Sequence, residues 1–473
     1  MIPYDVWTEV VGHSDPATLR ALQLTCSALY QLACPILYHD VVYCRGHLVA
    51  QTDTFWRRPP LSQRAEESGF TSDLLRVSRS IVNAPRRLII GPQRRNEIHA
   101  PSNPFPWHVV VRQAQTFTSL FSIVIQHAIF PLHAIVVILK LPTLRELVLI
   151  NASSPSSRAS RSSHHGGAIS IASSLTDLVL KGPIPGDVDN PDDMWFVVEG
   201  VLRSQSLRSL TVDNESVTGL ARILSWSSSF SNSNSLSAAN HLAALNVIDD
   251  GTHGYALRSS TLCDLLRLIG PGLKRLLALP STKLAIHHPA FHYPSLKAFH
   301  GPAHLLFCLS AETLRGIHEI VILETLVETV DLLSPLSDLA GGCMPQLCIV
   351  RLNVVDLDAD TLRVLCSLAP ALKELHLESE YVDLSRYVCK YEHASPIREL
   401  PNVRKVEIFG FGARVVAHTH DAIRCTLWQW KKGGCPHLKR VRFSPDEVWI
   451  WMDDRTAWIS ASERAMTIEE RLR

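Results

Sequence analysis

No charge of one sign dominates this 473-residue chain: 46 Lys and Arg stand against 45 Asp and Glu, a formal net charge of +1. That balance supplies no global field to condense on phosphate and no polybasic arm for a membrane surface, so neither nucleic acid nor membrane is expected as a partner. No CxxC pair occurs among the 11 cysteines, whose number is odd and whose spacing from Cys26 to Cys435 is irregular. A disulfide framework is therefore not expected, and the thiols read as reduced, in a cytoplasmic or nuclear protein. The opening residues Met1-Ile2-Pro3-Tyr4-Asp5 lack the basic start and apolar core of a signal peptide. The most apolar stretch, Leu120 to Leu141, is interrupted by Gln126, His127, Pro131, His133 and Lys140. A membrane span needs ~20 mainly apolar residues, so this stretch reads as a buried strand followed by a helix. Charged residues are only 19% and hydrophobic ones 46%, which excludes wholesale disorder.

Catalytic signatures are missing as well. There is no GxSxG elbow and no Walker loop, and Gly410-Phe411-Gly412 is only a fragment of a GxGxxG turn. Histidines pair at His164-His165, His287-His288 and His418-Thr419-His420, and Cys435-Pro436-His437 is the nearest approach to a ligand cluster. None has a second pair at zinc spacing. No catalytic residue, metal ligand or cofactor is assigned, and a non-catalytic binding protein is expected.

What the chain does contain is a recurrent phrase: apolar, two variable, apolar, one variable, apolar. It occurs as Leu120-Ile123-Ile125, Leu144-Leu147-Leu149, Leu175-Leu178-Leu180, Leu207-Leu210-Val212 and Leu242-Leu245-Val247. It continues as Ile317-Ile320-Ile322, Leu347-Val350-Leu352, Leu372-Leu375-Leu377, Val403-Val406-Ile408 and Leu438-Val441-Phe443, with poorer copies at Leu273 and Leu296. Starts fall 21 to 35 residues apart, and Pro142, Pro294, Pro345, Pro370, Pro401 and Pro436 precede six of them by two positions. Proline ends a helix and fixes an extended entry, so each unit reads as helix, proline stop and short strand. The phrase resembles an irregular leucine-rich repeat over roughly residues 120–444. This implies an α/β solenoid in which neighbours bury one another's apolar faces and parallel strands line a concave ligand surface.

The first 43 residues differ. Val6, Trp7 and Val10 mark one helix, Asp15-Pro16 opens a second, and a third runs from Thr25 toward a stop near Pro35. With Ile2-Pro3 for a Leu-Pro opening, Leu24-Thr25-Cys26-Ser27 before Leu29 and Tyr30, and the tail Pro35-Ile36-Leu37-Tyr38-His39-Asp40-Val41-Val42-Tyr43, the segment resembles an F-box, similar to those of many fungal, particularly mushroom-type, F-box proteins. Ser14 departs from the family's usual leucine. The resemblance implies docking on the Skp-type adaptor of a cullin-RING (SCF-type) ubiquitin ligase, with the remaining domain holding a protein substrate. Ile2, Pro3, Val6, Trp7, Val10, Leu19, Leu22 and Leu24 are expected to divide between adaptor contact and the module's own core. The alternative is a non-ligase interaction scaffold with a degenerate F-box.

The expected plan is therefore α/β: an F-box over 1–43, a linker and helix over 44–84, a solenoid over 85–445 and a C-terminal cap over 446–473. A first strand is expected at Leu88-Ile89-Ile90, and Ser-rich insertions at 153–174 and 225–237 interrupt the repeats. Trp428, Trp430, Trp449, Trp451 and Trp458 are half of all ten tryptophans and form either a cap or an aromatic, basic pocket. On the concave face, the residues flanking strand apolar positions are Glu374, His376 and Glu378, then Lys405, Glu407 and Phe409, then Arg440, Arg442 and Ser444. They run from acidic to basic and are the candidate substrate contacts.

Overall fold

The computed structural model describes residues 4–43, 83–91, 107–153, 174–184, 186–187, 190–191, 193–230, 241–248, 259–279, 291–324, 327, 329–356, 359–381, 397, 400–410, 420–443, 448–454 and 456–461. Two compact units divide the chain, Met1–Leu242 with Asp250–Tyr255, and Ala243–Asp249 with Ala256–Arg473.

The first unit begins with three helices, α1 (Tyr4–His13), α2 (Pro16–Gln23) and α3 (Ser27–Leu37). Asp15 caps α2 as its sequence predicts: its carboxylate accepts from the backbone N–H groups of Ala17 at 2.8 Å and Thr18 at 3.0 Å, ahead of Pro16 in the first turn. Helix α3 does not stop at Pro35 but continues to Leu37. So near the end, proline forfeits one backbone bond, while Tyr38 N–H still closes on the Cys34 carbonyl at 3.0 Å. Val11, Leu19 and Ala33 form the core of the three helices, with Leu22, Leu29, Leu32 and Leu37 packed partly buried against it.

The sheet of this unit starts directly after α3. Strands β1 (Asp40–Tyr43), β2 (Arg87–Ile90), β3 (Ser122–Gln126), β4 (Glu146–Ile150), β5 (Asp177–Lys181) and β8 (Ser209–Asp213) pair in that order, all parallel. A short antiparallel pair, β6 (Gly186–Asp187) and β7 (Asn190–Pro191), lies between β5 and β8 in sequence. The apolar run from Leu120 resolves into β3 and a helix at Leu132–Leu139. Among the described residues no helix is long and apolar enough to cross a membrane. The helix Asn214–Phe230 extends through Ser225, the start of the second Ser-rich stretch. Residues 154–173 and 231–240, with most of the expected linker (44–82), lie outside the described residues.

In the second unit β9 (Ala244–Ile248), β10 (Arg275–Ala278), β11 (Ala298–Gly301), β12 (Glu319–Ile322), β13 (Ile349–Asp356), β14 (Glu374–Tyr381), β15 (Lys405–Gly410) and β16 (Arg440–Arg442) pair successively in parallel. The direction then reverses, with β17 (Val448–Met452) antiparallel to β16 and β18 (Ala457–Ser460) antiparallel to β17.

Every copy of the phrase occupies one repeat, and its apolar positions are buried in both units: Leu120, Ile123 and Ile125 are fully inaccessible, as are Val403, Val406 and Ile408. Equivalent positions lie side by side, Leu147 beside Leu178 and Leu375 beside Val406. Each side chain so removed from water contributes about 1.5–3 kcal/mol, and no repeat supplies its own cover. The six prolines have a more specific role than stopping helices. In each case the first leucine or valine of the phrase donates its N–H to the residue just before the proline, as in Leu144 to Leu141 at 3.3 Å and Leu372 to Ala369 at 3.1 Å. Proline thus holds the second position of a β-turn that delivers the chain into the strand. The two following N–H groups converge on one carbonyl of the preceding repeat, as Lys373 and Glu374 do on Cys348. Parallel strands, one per repeat, with the phrase repeated in register, define a leucine-rich-repeat type of α/β architecture within each unit.

Candidate functional site

Alternation along β13 to β16 buries Val350, Leu352, Leu375, Leu377, Val406, Ile408 and Val441, and turns the intervening residues to the opposite, open face. Strand register sets two rows there. One runs Glu319, Ile349, Glu374, Lys405, Arg440, and the other runs Val321, Arg351, His376, Glu407, Arg442.

The expected contact residues do meet on this face. His376 Nδ1 lies 2.8 Å from Glu407 Oε2 and its Nε2 lies 3.1 Å from Glu378 Oε1. Lys405 Nζ is 3.1 Å from Glu407 Oε1 and 3.9 Å from Glu374 Oε2. The result is a continuous chain, Glu378–His376–Glu407–Lys405–Glu374, built from two adjacent strands. Glu407 is its centre and only 6% exposed. Burial alone would raise its carboxyl, but hydrogen bonds and charge from His376 and Lys405 outweigh that and hold it below the ordinary glutamate value.

This pairing alters the acid-to-base gradient expected from the sequence. The carboxylates of β14 and β15 are engaged by His376 and Lys405, whereas Arg351 and Arg440 are exposed and, among the described residues, have no carboxylate partner. The face therefore presents Arg351 and Arg440 beside carboxylates that His376 and Lys405 engage, of which Glu407 is buried and Glu374 is 42% exposed. Arg442 is half-buried beside Glu407 in register. Phe409 follows on β15, opposite Glu378 in register. Ser444 lies outside the described residues.

Sequence reasoning missed what adjoins the arginines. The open-face positions of β17 and β18 include Val448, Ile450 and Ile459, with Ile450 opposite Arg440, Val448 opposite Arg442 and Ile459 opposite Ile450. All three are half-buried. The signal is the alternation in Val448-Trp449-Ile450-Trp451, whose tryptophans lie on the other face. Those rings close the core: Trp430, Trp449 and Trp458 are at most 1% exposed, and Trp451 meets Trp458 edge to face at 5.7 Å. Lys431 Nζ sits 4.6 Å from the Trp451 ring centroid and donates to the Pro436 and Leu438 carbonyls at 2.9 and 2.8 Å. The hairpin occupies the sheet edge where a next repeat would stack.

A second surface lies on the N-terminal helices. Leu19 is 2% exposed and Leu22 is partly buried, so both serve the module's own core. Trp7 is half-buried, while Val6, Val10 and Leu24 are exposed at 46%, 43% and 84%, joined by Ile36 at 44%. Ile2 and Pro3 lie outside the described residues. Ser14 donates to the Val10 carbonyl at 2.6 Å and packs on its own helix end.

Of the histidine and cysteine candidates, His164, His165, His287, His288 and His418 lie outside the described residues. Cys435 Sγ is buried and directed at the Ile397 carbonyl at 2.8 Å, while His437 is exposed. Among the described residues no group of three or more His, Cys, Asp or Glu side chains is placed to hold a metal ion.

No protein-family model and no curated protein matches the chain. Among solved structures it is similar to the TLR13–ssRNA13 complex, at 13% identity and TM-score 0.38, covering 77% of this chain and 51% of that one. It is also similar to CroV588, a circular LRR protein, at 10% identity and TM-score 0.30, covering 76% and 37%. A third is the Toll–Spatzle complex of Drosophila, at 11% and 0.28, covering 78% and 49%. The chain spans about half or less of these proteins, and at such scores the likenesses carry no argument. The repeat class rests on the register and burial described above.

Proposed function

We propose that the chain is the substrate-recognition subunit of an SCF-type cullin-RING ubiquitin ligase, acting in the cytoplasm or nucleus. In this reading α1–α3 dock on a Skp-type adaptor and the repeats hold a protein substrate. The observation that carries it is Leu24, 84% exposed at the end of α2 on a module whose core is already filled by Val11, Leu19 and Ala33. An apolar side chain so placed, with Val6, Val10 and Ile36 also exposed, supplies the anchors of a helix-in-groove interface.

The test is co-purification of the full chain with a Skp-type adaptor. Leu24→Glu and Val10→Glu alter exposed positions, so the variants should fold and lose the adaptor. Retention of the adaptor by the folded double variant would overturn the assignment. A second reading, a scaffold that engages no ligase, is favoured by Ser14 standing where the F-box pattern has leucine. It predicts that the unmodified chain fails to capture the adaptor at all.

A further inference from the structure

The open face of the second unit offers chemistry that specifies more than a protein substrate. Exposed cations with no carboxylate partner among the described residues stand on β13, at Arg351, and on β16, at Arg440. Between them lies the His376–Glu407–Lys405 chain, whose carboxylates are already engaged. Immediately beyond β16 the same face becomes aliphatic, with Val448, Ile450 and Ile459. We propose that this face binds an extended segment of a partner protein in which acidic residues are followed by aliphatic ones, lying across the strands.

Charge complementarity and spacing argue for that occupant. Strands are about 4.8 Å apart, which places Arg351 about 14 Å from the β16 arginines, and an extended chain at about 3.4 Å per residue covers that in about four residues. One to three further residues reach Ile450 and Ile459. The expected ligand therefore carries two acidic side chains about four positions apart and an aliphatic one shortly after the second. A carboxylate suits an arginine's planar fork, which binds it bidentately. A nucleic-acid strand fits less well, because Glu374, Glu378 and Glu407 would lie beneath its phosphates and Val448, Ile450 and Ile459 offer no ring on which to stack bases.

The inference rests on the reading of the repeats as the substrate side, and its test is independent of adaptor binding. Random extended peptides displayed in a library are selected on the immobilised full chain and, in parallel, on the Arg351→Glu/Arg440→Glu variant. Circular dichroism melting shows whether the variant is folded. The expected result is enrichment of acidic residues with aliphatic ones one to three positions later, and at least tenfold weaker binding of the selected peptide by the folded variant. Ile450→Ser should weaken the same peptide without changing the preference for acid. No enrichment, enrichment of basic peptides, or unchanged binding by the folded variant would overturn the proposal. Full displacement of the selected peptide by polyuridylate at equal charge would overturn it in favour of a nucleic-acid surface.

Discussion

His376 on β14 and Glu407 on β15 face each other in register, with Nδ1 and Oε2 2.8 Å apart. The other ring nitrogen meets Glu378. An imidazolium donates to both carboxylates, whereas a neutral ring donates to one. The contact holds two neighbouring strands through side chains on the open face.

Glu407→Gln should destabilise the fold at neutral pH by about 1–3 kcal/mol, the usual effect of removing one partner from a buried, charge-assisted set. The sign of the pH dependence follows from the lowered carboxyl. Its contribution is complete above the unfolded value of about 4.3 and is lost as pH falls through the depressed native value. Urea melts at pH 7 and pH 3 should show a gap between parent and variant that narrows in acid. A constant gap would place the role of Glu407 in packing alone.

The proline turns suggest a stabilising change. Leu207 N–H closes on the Ser204 carbonyl at 3.3 Å, the same turn as in the six proline-bearing repeats, with exposed Gln205 in the proline position. Gln205→Pro should raise stability by about 0.4–1 kcal/mol by restricting the unfolded chain. Thermal melting checks it, and a lower midpoint would show that this turn differs from the others.

Gly182 has a φ of +87° after β5, and a Cβ there would fall on the Asn151 side-chain oxygen. Its N–H donates to the buried Asp213 carboxylate, and its carbonyl accepts from Ser216 at 2.7 Å. Gly182→Ala should cost more than about 1 kcal/mol, since both the left-handed backbone and the contact oppose it. Chemical denaturation measures this, and a neutral result would mean that the turn relaxes freely.

Thiol reactivity should follow burial. Of the nine described cysteines, Cys26, Cys343 and Cys425 are exposed, Cys348 is half-buried, and Cys34, Cys263, Cys308, Cys366 and Cys435 are buried. Burial pushes the Cys263 thiol up to about 11, with Cys308 nearby adding to the effect. Iodoacetamide at pH 8 followed by peptide mass spectrometry should label the exposed three within minutes and spare the buried five until denaturant is added. Early labelling of Cys263 would reveal local opening of the Ser259–Leu268 helix.

Much of the repeat fold was legible because its cause is local. The Leu-x-x-Leu-x-Leu phrase and its proline follow from strand alternation and turn geometry, and even the poor copies at Leu273 and Leu296 fall on β10 and β11. The repeat at β1 was less visible, since Asp40–Tyr43 carries only a fragment of the phrase and reads as the tail of the helices. Leu19 and Leu24, five positions apart, look equally suited to a core in sequence. Only the packing of α1 and α3 around Leu19 separates them.

The sequence by itself determined which residues of each repeat turn inward, because a strand's period of two and a turn's backbone preferences are properties of a few adjacent residues. Which outward residues become neighbours was decided by the tertiary structure. His376 reaches Glu407 across 31 positions through strand register, and the aliphatic rim beside Arg440 exists because the chain reverses at β17. Cross-strand partners depend on intervening segments of variable length, so no local pattern encodes the pairing that leaves Arg351 and Arg440 without a carboxylate partner among the described residues.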